Sequence, residues 1–267
     1  MTDSLKVKDE KLLEKAKLFI STTKKSSKIF IIHDGDADGI CSGTIIFKAL
    51  KKLGYTSLVT YTRIVRSEFL QDIQIPHFET IFISDIDPLT FGFLHLIYKS
   101  NPQAKMMVLD HHTINKDLLL NSRIVYVHPE LLYENVEGSQ LCCSKMNYEL
   151  FSQCVDLQDY EFLKGIGMIG DYNQKTRGKE IKHIAQRLNV DYSQIKKPED
   201  WYETEFKKAL NIIDGARAIG DEQVRQATDI LKDSVTFSDI VKIKNPFKEP
   251  IELLEKYKHT WKKNARI

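Results

Sequence analysis

Cysteine is scarce in this chain, and its arrangement excludes more than its number does. Cys41, Cys142, Cys143 and Cys154 are the only ones among 267 residues, and no two stand in C-x-x-C spacing, so the usual zinc and dithiol motifs are absent. Adjacent Cys142 and Cys143 fit poorly as a structural disulfide, and the expectation is a reducing, cytoplasmic protein. Long apolar runs are also missing. None approaches the roughly 20 residues of a membrane span, and Met1-Thr2-Asp3-Ser4-Leu5-Lys6 has no secretory apolar region. No charge of one sign dominates: 39 basic residues face 37 acidic ones, a net charge of +2. Bulk charge therefore implies no nucleic-acid partner, and only a local basic patch could supply one. Repeats and low-complexity linkers are absent. The 42% hydrophobic and 28% charged content is that of a globular chain able to bury one large or two modest domains.

Short apolar segments alternate with helical patterns through the first half. Strands are expected at 28–32, 57–61, 80–84, 105–109 and 123–127, with helices at 9–22, 40–53 (ended by Gly54) and 91–98. That alternation predicts an α/β fold, a parallel sheet flanked by helices. From Gly138 onward the pattern is helical, with segments at 139–153, 159–169, 180–187, 201–216 and 222–232 and a basic tail at 250–267. The expected division is 1–175 for the sheet domain and 176–267 for a mostly helical C-terminal region.

The chemistry concentrates where the strands end. The run Ile29-Phe30-Ile31-Ile32 passes into His33-Asp34-Gly35-Asp36-Ala37-Asp38-Gly39. Carboxylates at alternate positions beyond a buried strand repel one another and are costly to desolvate. Divalent cations resolve that conflict. Asp85-Ile86-Asp87 follows the third expected strand, Asp110-His111-His112 the fourth, and Asp171 ends a helical segment containing Gly165, Gly167 and Gly170. In an open α/β sheet the carboxyl ends of the strands line one edge, so these clusters should meet in one cleft. Each alone has an ordinary reading: a solvated turn for the first aspartates, loop acids for Asp85 and especially Asp87, a structural pair for His111-His112. His77, His95, His128, His183 and His259 read as surface or core residues, and Trp201 and Trp261 as packing anchors.

Four elements in this order, over about 28–171, resemble the DHH phosphoesterase superfamily and within it the RecJ-like branch, including archaeal relatives. The resemblance implies two divalent cations, manganese preferred and magnesium possible, held by Asp36, Asp38, Asp85, His111 and Asp171, with Asp85 bridging. It implies that His112 faces the substrate phosphate and that Asp110 orients the histidine pair. Asp34 matches an extra leading aspartate of the RecJ-like nucleases, whereas His33 lies three residues before Asp36, off the family's spacing. Arg217, in Leu210-Asn211-Ile212-Ile213-Asp214-Gly215-Ala216-Arg217, loosely resembles an element after the catalytic domain and implies a phosphate clamp. No Gly-Gly-His motif of a second, substrate-gripping domain follows Asp171.

The implied activity is a two-metal phosphodiesterase, foremost an exonuclease on single-stranded DNA or RNA. Its rivals are a replicative-helicase scaffold binding GINS-like replication proteins, and a nano-RNase or mononucleotide phosphatase. Retention of every carboxylate favours the enzyme.

Overall fold

A computed structural model of the chain describes residues 5–63, 77–89 and 93–249. Five strands, β1 (Ile29–Asp34), β2 (Leu58–Arg63), β3 (Thr80–Ser84), β4 (Lys105–Leu109) and β5 (Ile124–Val127), form one sheet. All neighbours are parallel, in the order β2-β1-β3-β4-β5. Order reverses between β1 and β3, where an open α/β sheet leaves a crevice at the carboxyl ends.

The strands read as unbroken apolar runs because both faces are covered. Along β1, Ile29 and Ile31 enter one core and Phe30 and Ile32 the other. Each such side chain stabilises the fold by about 1.5–3 kcal/mol relative to its exposed state. The larger core holds α1 (Glu10–Thr22), α2 (Ala37–Lys52), α6 (Cys143–Ser152), α7 (Glu161–Gly170) and the helices beyond. The smaller lies beneath α3 (Phe93–Ser100) and α4 (Lys116–Leu120). A short α5 (Pro129–Leu132) follows β5.

Helix α2 is the pivot. Asp36 caps it by accepting from Gly39 N–H (2.8 Å), and Lys51 and Lys52 close its last turn, each charge matched to the helix dipole. Nearly its whole surface is buried between the sheet and helices α6 and α7. Gly43 is what lets it sit so close to β1, because a Cβ there would collide with the His33 ring.

The C-terminal region contains α8 (Gln174–Arg187), α9 (Phe206–Ile219), α10 (Asp221–Asp233) and α11 (Phe237–Lys242). Its core is continuous with that of the sheet. Phe237 meets Phe162 of α7, and Lys48 of α2 donates to Ser234 O (2.7 Å). Trp201 is buried as an anchor, while Trp261 and the basic tail lie outside the described residues.

Element boundaries depart from expectation in two informative places. Strand β1 continues through His33 and Asp34, both in parallel register with β2. The helix expected from Ser139 begins only at Cys143, after a 3₁₀ turn at Gly138–Gln140.

Candidate metal centre

Asp34 closes β1, Asp36 caps α2, and Asp38 lies in the first turn of α2. Asp85 and Asp110 follow β3 and β4 directly, and Asp171 ends α7. Sheet topology, with α7 packed on α2, therefore gathers all six carboxylates with His111 and His112. Within 4.8 Å of one another stand ligand atoms of Asp38, Asp85, His111 and Cys143; of Asp38, Cys142 and Asp171; of Asp85, Asp110 and His112; and of Asp34, Asp36 and Asp85. Asp85 belongs to three of these groups and Asp38 to two. Beside them opens a cleft of about 800 Å³ lined in part by His111, His112, Glu130, Gly138 and Asp171.

Each side chain is held by identifiable neighbours. Both oxygens of Asp38 accept backbone N–H groups from the start of α6, Oδ2 from Cys143 (2.7 Å) and Oδ1 from Ser144 (2.8 Å). An acid from α2 thus serves as the missing cap of α6, using the positive end of that helix. Gly167 permits the approach, since a Cβ there would stand 2.6 Å from Ser144 Cβ and 3.0 Å from Asp38 Oδ1. Below, Ser84 Oγ joins Ser42 Oγ (2.8 Å) and Asn147 Nδ2 (2.9 Å), fastening β3 to α2 and α6.

His111 Nδ1 lies 3.3 Å from Gly138 O, and Nε2 lies 3.2 Å from Asp85 Oδ1 and 3.9 Å from Asp38 Oδ2. A proton on Nδ1 shared with a backbone carbonyl leaves the Nε2 lone pair facing Asp85 and Asp38, where it could meet a cation. His112 is half-exposed, and its Nδ1 donates to Asp110 Oδ1 (2.7 Å). His128, expected to be structural, secures this pair by donating from Nε2 to His112 O (2.7 Å) while accepting Glu130 N–H at Nδ1 (3.2 Å).

The electrostatics fit divalent cations. Asp85 is 3% exposed, with no hydrogen bond to Oδ1 and φ +61°. Burial, then the charges of Asp38 and Asp36, push its carboxyl well above the usual range. Asp110 Oδ2 is likewise buried without a hydrogen bond. Asp171 sits at a helix C-terminus, where a negative charge is disfavoured; burial and then Asp38 push it up to about 7. Burial opposes protonation of His111, but Asp38, Asp171 and Asp110 outweigh it, and its pKa is raised. Repelling carboxylates with vacant lone pairs, one imidazole and oxygen-rich surroundings suit hard or borderline divalent ions. The Cys142 and Cys143 thiols reach the same groups, but burial raises both far above the ordinary thiol range and keeps them protonated.

These shifts predict a pH response. The raised Asp171 carboxyl contributes stability below its unfolded value of 3.8 that is lost as pH rises through about 7. His112, raised to about 9 first by its bond to Asp110, contributes stability below 6.5 that is lost as pH climbs from there through about 9. Buried His33, lowered to about 4, acts only as pH falls below 6.5, and Lys48, lowered to about 8 by burial, opposes the trend only above about 8. Between pH 6.5 and 8 the metal-free protein should therefore lose melting temperature. Stabilisation by manganese should grow over the same interval as the ions displace these protons. Differential scanning fluorimetry with and without manganese checks this; an equal gain at both pH values would contradict it.

Two expected site residues do not join the cluster. His33 falls on the Ile29–Ile31 face of β1, so its ring points under α2 against Gly43, fully buried with no hydrogen bond to Nε2. Strand alternation, extended by two residues, turns it away from the cleft. Arg217 is exposed in the last turn of α9, and no hydrogen bond or ion pair among the described residues joins it to the clustered groups. Asp87 accepts from Leu89 N–H (2.9 Å) and Asn115 Nδ2 (3.3 Å), as a loop acid.

Comparison with known proteins agrees with this architecture. Manganese-bound RecJ from Thermus thermophilus superposes with a TM-score of 0.61 at 15% identity, covering 99% of this chain and 41% of that one. A manganese-bound exonuclease RecJ gives 0.56 at 17%, covering 90% and 65%. The DHH domain of a protein assigned to a family of ribosomal proteins gives 0.65 at 17%, covering 96% and 65%. The chain thus spans less than two thirds of the length of each of these proteins. No curated protein matches it in sequence. The family model described as "DHH family, N-terminal domain" matches residues 28–184, more than half of the chain and every clustered carboxylate and imidazole, and the protein belongs to the DHH family.

Proposed function

We propose that the chain is a two-metal-ion phosphodiesterase, acting as a RecJ-like exonuclease on single-stranded DNA or RNA. The observation that carries this reading is the sharing of Asp38 and Asp85 among overlapping ligand groups, with Asp85 Oδ1 buried and without a hydrogen bond. Asp36, Asp38, Asp85, His111 and Asp171 would hold two ions, manganese preferred over magnesium, with Asp34 as a further acid at the rim. When bound, such a pair activates a water and stabilises the leaving oxygen of an in-line displacement at phosphorus.

The protein's own groups prepare that chemistry. Asp38, clamped to α6, is held where it would meet the ions. Asp110 orients the His112 ring and keeps it charged near neutral pH, and the half-exposed imidazolium faces solvent where a phosphate oxygen can accept a hydrogen bond from its Nε2. The likeness in fold to manganese-bound and magnesium-bound RecJ supports the reading. A scaffold in a replication complex would be free to lose these carboxylates, and they are all present.

The test is turnover by purified protein on a labelled single strand, a dinucleotide and a mononucleotide phosphate, each with manganese, magnesium or chelator. Mononucleotide release from the strand, abolished by chelator, is the expected result. Turnover of the dinucleotide or mononucleotide alone would make it a small-molecule phosphatase. Absence of turnover together with capture of GINS-like replication proteins would make it a scaffold.

A further inference from the structure

A second feature begins one residue past the metal-centre carboxylate Asp171. Tyr172 holds φ +59° and is 61% exposed. A bulky side chain in the left-handed region is a backbone outlier, and such strain clusters at functional positions. The Tyr202 ring lies 6.1 Å away and Lys175 Nζ 5.6 Å from the Tyr172 ring centre, so the ring is braced without being covered.

Beyond Tyr172 opens a cavity of about 420 Å³ between the start of α8 and the 195–198 loop. Lys175, Arg177, Lys179, Lys182, Lys196 and Lys197 line it. None of these six forms an ion pair among the described residues. The one acid in the lining, Glu180, is already matched by Lys145 (2.6 Å) and Lys164 (3.1 Å). Asp200, beside the loop, is engaged by the backbone N–H groups of Lys196 and Lys197. At the inner wall stands Gln174, 3% exposed, its amide beside the Tyr202 hydroxyl. That hydroxyl donates to Ile169 O (2.7 Å).

One hydrogen bond ties the cavity lining to the turn beside the metal cleft. Arg177 interrupts α8 with non-helical dihedrals and donates from Nε to Gln140 O (3.2 Å), the last residue of the turn whose Gly138 carbonyl faces His111. Asp171 and Gln174 are three residues apart, at most about 11 Å of chain, a distance that a few nucleotides cover.

We propose that Tyr172 and this cation-lined cavity form the track that holds a single strand as it leaves the metal centre, Tyr172 stacking a base and the lysines and Arg177 following the phosphates. This rests on the phosphodiesterase reading and adds to it the place where substrate length is sensed. Stacking on an exposed aromatic beside a cationic groove is how single strands are gripped without sequence preference. A folded protein partner would need neither an exposed ring in a strained backbone nor six cations left without ion pairs around one cavity.

The experiment is fluorescence anisotropy with a labelled single strand of about twenty nucleotides, titrated across salt with calcium in place of manganese. K179Q/K182Q/K196Q/K197Q should bind more weakly and flatten the slope of log affinity against log salt by about 2–3, each lost phosphate contact being worth about 0.7. The same four positions as arginine should restore both. Tyr172→Gly should lower affinity about tenfold or more without lowering the melting temperature, because glycine adopts this backbone freely. Unchanged affinity in both variants overturns the track even if the wild type cleaves strands. A wild type that cleaves nothing, yet binds the strand and loses it in both variants, leaves the track standing and removes the nuclease reading. Loss of inorganic polyphosphate binding in the glutamine variant, with strand affinity intact, also overturns it.

Discussion

Asp85→Asn is expected to lower metal-dependent phosphodiester hydrolysis steeply and, in the same protein, to raise the melting temperature of the metal-free form. The two effects have one origin. Asp85 is buried among the charges of Asp38, Asp36 and Asp34, with one oxygen lacking a hydrogen bond, so its ionised form is strongly repelled. An amide is neutral and can donate to those neighbours. Asparagine also tolerates the left-handed backbone at this position, φ +61°, better than almost any residue but glycine. Loss of the shared ligand removes several kcal/mol of charge stabilisation, a drop in rate on the order of a thousandfold. In the metal-free protein at pH 8, relief of repulsion by each kcal/mol lifts the melting temperature by about 2–4 °C. Manganese should then add little. Turnover equal to wild type would remove Asp85 from the centre, and a lower metal-free melting temperature would mean that its charge supports the fold.

Gly167→Ala should be a strongly damaging small substitution in the helical half. Alanine is the better helix former by about 1 kcal/mol, and that gain is outweighed here. The added methyl meets the side chain of Ser144 and crowds Asp38 Oδ1 at 3.0 Å. These neighbours are the first turn of α6 and the acid that caps it, so relief of the overlap separates Asp38 from the Cys143 and Ser144 N–H groups. Overpacking costs about 1–3 kcal/mol, and each bond to a charged acceptor adds about 1.5–3 kcal/mol if lost. A net loss of about 2–4 kcal/mol is expected, together with weaker manganese binding by calorimetry. Gly178→Ala is the control, because a Cβ there meets nothing within 4 Å and should leave stability equal or slightly higher. Equal melting temperatures for the two variants would show that α6 and α7 can part without cost.

Much of this arrangement is visible in the chain itself. Strands β3 and β4 are bounded where apolar runs give way to Asp85 and Asp110, and parallel pairing follows from runs buried on both faces. The carboxylates and His111 meet because strand ends meet. What stays hidden depends on distant partners. The true start of α6 is set by an acid 105 residues earlier, which no local pattern at Gly138–Ser144 announces. The fate of His33 turns on whether β1 ends before or after it, because strand parity decides which face a side chain takes. The work of His128 and Asn147 emerges only when the backbone they hold is in place. Short α4, α5 and α11 carry too few turns to show a period, and Arg217 resembles a motif residue without reaching the cleft.

The two hydrogen bonds that Asp38 accepts from α6 set an order in which this architecture could decay. Asp38 is useful to the polypeptide even when no ion is present, whereas Asp85 is a burden then. A descendant released from the proposed hydrolysis should discard Asp85 early and keep an acceptor at position 38 long afterwards. Among distant kin, the residue facing that helix start would then record ancestry, and the residue after the third strand would record whether the trade is still practised.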